Sequence, residues 1–134
     1  MIPARIGSQR LKKKNLAIIN KRPLIEYVIR TAKKTKLFNE IFINSDDKIF
    51  KKIALKNDIN FYLRNKKFGS SNTKSDDVVY DFLKNNKCDI LVWVYPIAPL
   101  QKPEEIKNVI NFFITKKLNS LITTNQLKNH SIFK

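Results

Sequence analysis

Residues 41–63 read IFINSDDKIFKKIALKNDINFYL, and two hydrophobic periods stand side by side in them. Ile41–Ser45 and Ile59–Leu63 are short apolar runs rich in β-branched and aromatic residues, the pattern of buried strands. Between them Ile49, Phe50, Ile53 and Ala54 recur at helical spacing, with Asp46 and Asp47 placed to cap the N-terminus. Strand, helix and strand in that order form a parallel pair with a crossover helix. Outward in both directions the same alternation continues. Ile2–Ala4, Ile90–Tyr95 and Ser120–Thr124 read as further strands. Leu24, Ile25, Val28, Ile29 and Ala32 form a helical stripe opened by Pro23 at a first-turn position. Val78, Val79, Phe82 and Leu83 form another, and Ile106, Val109, Ile110 and Phe113 a last one behind Pro103 and Glu104. The expectation is an α/β, doubly wound, mostly parallel sheet flanked by helices.

At 134 residues the chain suffices for one domain with a real core. No stretch approaches the roughly 20 apolar residues of a membrane span, and no secretory leader is legible, so the expected location is cytoplasmic. Cys88 is the only cysteine and lies beside an apolar run, where a buried, inert thiol is expected. The formal charge of +16 would ordinarily suggest nucleic acid or an anionic surface. Most of the excess is lysine dispersed over helix faces and loops, which reads as solvated surface. One loop concentrates cations among other informative residues: Arg5, Arg10, Lys12, Lys13 and Lys14.

That loop, Pro3 to Asn15, follows the first strand, the usual phosphate position in an open α/β sheet. A triphosphate carries about four negative charges, which inward backbone N–H groups and fixed cations can hold. Gly7 allows close backbone approach, Ser8 offers a hydroxyl, and Arg5, Arg10 and Lys14 supply charge. Neither a Walker loop nor a G-x-G-x-x-G turn is present. Taken by itself, a basic loop after a strand also reads as a solvated turn.

The order of residues narrows the choice. Pro3-Ala4-Arg5-x-Gly7-Ser8-x-Arg10-x-x-x-Lys14-Asn15 resembles the P-A-R-x-G-S-x-R-x-x-x-K-N signature of the CMP-sialic acid synthetases (N-acylneuraminate cytidylyltransferases) and their relatives acting on pseudaminic and legionaminic acids. Four more stretches resemble family motifs in the family's order: Lys21 to Tyr27, Ile41–Asp47, Leu63-Arg64 with Thr73 and Asp77-Val78-Val79, and Pro96 to Leu100. The resemblance extends over essentially the whole chain. It implies a nucleotide-diphospho-sugar transferase-like Rossmann fold, incomplete, with residues 1–134 as the nucleotide-binding part of a cytidylyltransferase domain truncated at both ends. Only Met1 and Ile2 precede Pro3, short of the roughly five residues of a typical strand.

The implied reaction joins a nine-carbon 2-keto sugar acid to CTP, giving CMP-sugar and pyrophosphate. The resemblance implies that Arg5 and Lys14 stabilise the phosphate charge, with Gly7, Ser8, Arg10 and Asn15 shaping the nucleotide site. Arg64 and the backbone around Thr73 and Ser75 would read the cytosine; a strand-end surface charge is the plainer reading of Arg64. Tyr95 stands where the family places a substrate-facing glutamine, Asn72 and Asp76 depart from the family's aspartate and serine, and Lys12 replaces a loop proline. The implied cofactor is Mg²⁺, held in the family by a later D-x-D pair that this chain does not contain, so its ligands are expected beyond this chain. The implied partners are CTP and a nonulosonic acid sugar, with intact relatives as homodimers, and with neither membrane nor nucleic acid. His130 reads as a solvated imidazole. Two other readings compete: a non-catalytic α/β module whose loop grips an anion or a nucleic-acid backbone, and an inactive truncated relic.

Overall fold

The computed structural model describes residues 1–8 and 11–124. Its main sheet has three parallel strands, β1 (Ile2–Ala4), β4 (Phe42–Ser45) and β5 (Asn60–Leu63), in the spatial order β1, β4, β5. Register pairs Ile2 with Ile43 and Ile43 with Phe61, which sets these three side chains on one face. Against that face pack α1 (Leu24–Thr35), α2 (Ile49–Lys56) and α4 (Pro103–Thr115). Ile25, Val28, Ile29, Phe50, Ala54 and Ile106 join Ile2 and Ile43 in one buried cluster. The opposite face carries Phe42 and Tyr62, which meet Phe82 of α3 (Ser75–Asn85) edge to face at 5.1 and 5.3 Å. Helices on both faces make the sheet doubly wound, as the alternation predicts.

Local chemistry explains the element ends. Asp47 Oδ1 accepts the Ile49 N–H at 2.8 Å and caps α2. Pro103 opens α4, where the Glu105 carboxylate accepts the Lys102 N–H at 3.1 Å. Glu26, buried on α1, is paired at 2.9 Å with the exposed Lys56 of α2.

Several expectations are corrected. Residues 90–95 are not a strand of the ladder. Met1 donates to the Val92 carbonyl at 2.8 Å and accepts from the Val94 N–H at 3.0 Å, the bonding of a parallel pair confined to the one residue before β1. Residues 120–124 are irregular, with Ile122 88% exposed, because α4 gives way to a left-handed Lys117 and, among the described residues, no strand edge pairs with the segment beyond it. Pro23 does not lie in the first turn of α1. It closes an unforeseen antiparallel hairpin of β2 (Ile18–Ile19) and β3 (Arg22–Pro23), whose two turn residues, Asn20 and Lys21, both have positive φ. Cys88 is exposed, not buried. No helix among the described residues is long and apolar enough to cross a membrane.

Candidate functional site

The C-terminal ends of β1, β4 and β5 release three loops on one side of the sheet. After Ala4 the chain turns at once, the Ser8 N–H donating to the Ile6 carbonyl at 3.0 Å. The loop returns through a left-handed Lys13 into a single 3-10 turn, Lys14–Leu16, with the Lys14 N–H bonded to Leu11 O at 3.1 Å. Asn15 is buried there, and its Nδ2 donates to the Arg5 carbonyl at 3.4 Å. Residues 5 and 15 are thereby tied together over the end of β1, with Arg5 and Lys14 half-buried at the two sides of the closure. The Asn15 Oδ1 is buried without a hydrogen-bond partner among the described residues. Among the described residues a Cβ on Gly7 would meet nothing within 4 Å, and its φ is not positive, so neither their packing nor the backbone conformation demands a glycine. Arg10 and His130 lie outside the described residues.

Arg64, the first residue after β5, is not a surface charge. It is 5% exposed, and its guanidinium reaches back across the strand ends. Nη1 faces the Asn44 carbonyl and Oδ1 at 3.5 and 3.4 Å, Nη2 donates to Ala4 O at 3.4 Å, and Asp46 Oδ1 lies 3.6 Å from Nη2. The Nε–H has no acceptor among the described residues. Burial lowers the Arg64 pKa from its ordinary value; Asp46 opposes this and the neighbouring Arg5 adds to it. The side chain still stays charged, since a guanidinium titrates far above neutrality. A cleft of about 850 Å³ opens alongside, lined by Asp46, Asp47 and Lys48 from the β4 end and by residues 63–66 from the β5 end.

The remaining predicted residues, Thr73, Ser75 and Tyr95, make no hydrogen bond, ion pair or ring contact with Arg5, Asn15 or Arg64. Thr73 precedes α3 and its hydroxyl donates to Lys67 O at 3.3 Å; Ser75 is the exposed first residue of that helix. Tyr95 is 57% exposed at the end of the extended segment, its ring 5.8 Å from that of Trp93, whose buried Nε1 has no partner among the described residues. Two more residues take part: Asp46, for which the sequence left a helix cap and a ligand role open, and Gly69, which the sequence reading did not single out. Asp46 does not cap α2; it turns inward to Arg64 and accepts the Ile6 N–H at 3.4 Å. Gly69 lies so close that a Cβ there would stand 2.8 Å from Asp46 Cγ. Its one legible signal was rarity, the chain having only two glycines.

The model of a protein family described as cytidylyltransferase matches residues 1–131. The chain belongs to the cytidylyltransferase family. It is similar to the N-acylneuraminate cytidylyltransferase of Streptococcus agalactiae serotype V, 26% identical over 97% of this chain and 32% of that protein. It is also similar to the pseudaminic acid cytidylyltransferase of Campylobacter jejuni, 28% identical over 96% of this chain and 58% of that protein. Among solved structures, a CMP:2-keto-3-deoxy-manno-octonic acid synthetase complexed with CTP superposes with a TM-score of 0.76 at 20% identity, covering 87% of this chain and 46% of that one. That likeness shows the fold. The chain spans about a third to three-fifths of the length of these curated relatives.

For a cytidylyltransferase the metal question can be put to the residues present. Among the described residues no three metal-ligating side chains converge. Asp46 is engaged by Arg64 and Ile6, and Asp47 by the start of α2.

Proposed function

We propose that this chain is the CTP-binding part of a nucleotidyltransferase that activates a nine-carbon 2-keto sugar acid. The anomeric 2-hydroxyl attacks the α-phosphorus of CTP, a new O–P bond forms as the hydroxyl proton passes to solvent, the bond to the oxygen bridging to the β-phosphate breaks, and pyrophosphate leaves with the electron pair. No side chain of the chain need act as nucleophile. Its residues hold and orient the nucleotide.

The observation that supports this reading is the loop closed by Asn15 on the Arg5 carbonyl, which brings the backbone of the Lys14–Leu16 turn beside Arg5 at the end of β1. Arg5 also lies near enough to the buried Arg64 to act against its charge. Two cations held together, with Asp46 as the carboxylate on Arg64, favour an anionic ligand. Gly7 leaves the outer face of the loop bare, as close approach of a phosphate to the backbone requires.

The net charge of +16 favours a second reading, a module that binds anions or nucleic acid through diffuse charge. Calorimetric titration with CTP separates the two. Arg5→Ala and Lys14→Ala should each weaken binding on the order of ten- to a hundredfold, the worth of a charge-assisted contact. Lys12→Ala and Lys13→Ala should change it by less than about twofold, as exposed charges do. Equal losses in all four variants would replace the cytidylyltransferase site with a diffuse basic patch.

A further inference from the structure

We infer that Asp46 is a positioning residue, a single carboxylate that locks the loop after β1 to the Arg64 segment after β5, in a seat left open by Gly69. The functional half of this inference rests on the nucleotide reading; the structural half does not.

The geometry comes from strand order. β4 lies between β1 and β5, so the residue that leaves its C-terminal end is flanked by both neighbouring loops. Asp46 uses that place. Its Oδ1 accepts the Ile6 N–H at 3.4 Å on one side and faces Arg64 Nη2 at 3.6 Å on the other. The carboxylate also abuts the Gly69 backbone, so three loops meet on one side chain. Ile6 stands between Arg5 and Gly7, and holding its N–H sets the path of the backbone that carries both. Charge works in the same direction. Arg64 is buried and Arg5 acts against its charge, so removing Asp46 would leave Arg64 without the carboxylate it is paired with. Asp47, next in sequence, is spent on capping α2 and serves as a control of equal charge.

Amide exchange measured by NMR on the 134-residue chain tests the lock without any ligand. Asp46→Ala should speed exchange at Ile6, Gly7 and Ser8 at least tenfold, while Asp47→Ala loosens α2 and leaves these amides alone. Unchanged loop exchange in Asp46→Ala, or an equal rise in Asp47→Ala, would overturn the inference. If Asp46→Ala does not fold, Asp46→Asn takes its place; its amide oxygen keeps an acceptor for Ile6 but drops the charge that holds Arg64, so faster exchange is expected at residues 64–67, and exchange there equal to wild type would again overturn the lock. The functional half is read from CTP affinity as a double-mutant cycle. Arg5→Ala should cost ten- to a hundredfold in the wild-type background and less than about threefold with Asp46 removed. Additive losses would reduce Asp46 to framework and refute the positioning role. Failure of the wild-type chain to bind CTP would instead defeat the nucleotide reading, and the lock would then stand or fall on the exchange rates.

Discussion

The two glycines of this chain have opposite physical reasons for being there. Gly69 is required by the chain itself, because a methyl group in its place would press on the Asp46 carboxylate. Gly69→Ala should therefore destabilise the fold by about 1–3 kcal/mol, the usual penalty of overpacking, measured by urea denaturation. Gly7→Ala meets open space and a backbone any residue adopts, so its stability should stay within about 0.5 kcal/mol of wild type; a loss of CTP affinity at unchanged stability would mark Gly7 as a ligand-facing position. Only Gly7 was legible as a site residue, through its place in the motif. Gly69 was not, nor was its meeting with Asp46, since that contact spans 23 residues of sequence that no local pattern announces. Arg64 was legible as a candidate, but its burial across three strand ends was not.

At the scale of elements, α3 is tied to β5 by Tyr62. Its hydroxyl donates to Asp81 Oδ2 at 2.9 Å and accepts from Asn85 Nδ2 at 2.9 Å. Burial, and then the hydrogen bond to Asp81, raise the Tyr62 pKa above the ordinary tyrosine value. A raised pKa means the folded state holds the proton more tightly, so the stabilisation is fully present below about pH 10 and is lost as pH rises through the folded value. Tyr62→Phe should thus cost roughly 0.5–1.5 kcal/mol near neutrality, and the difference from wild type should shrink above pH 10; denaturation curves at several pH values report both. The three strands and four helices were readable because their periods are strong. Residues 90–95 and 120–124 carried the same apolar signature without becoming ladder strands, because a strand needs a paired edge along its length; 90–95 pairs only with Met1, and 120–124 with no edge among the described residues. The hairpin of β2 and β3 was missed because its turn is Asn20-Lys21, where Asn-Gly would have been the recognisable signal.

For the molecule as a whole, a charge of +16 coexists with a small core, and Arg5 lies near enough to the buried Arg64 for their charges to oppose each other. We expect the 134-residue chain alone to release pyrophosphate from CTP and N-acetylneuraminate, with Mg²⁺ supplied, far more slowly than a full-length relative, since no metal-ligating set is present among its described residues. A pyrophosphate assay that found turnover equal to such a relative would place the metal ligands within this chain after all.

Local period and residue order were enough to give the alternation of strands and helices, the place of the basic loop after the first strand and the family, because each of these is written in neighbouring residues. Folding in three dimensions was needed for the closure of the loop by Asn15 on Arg5, for the burial of Arg64, and for the meeting of Asp46 and Gly69 between them. Those contacts arise where three parallel strands end side by side, and which strand lies in the middle is a property of the sheet, not of any segment within it.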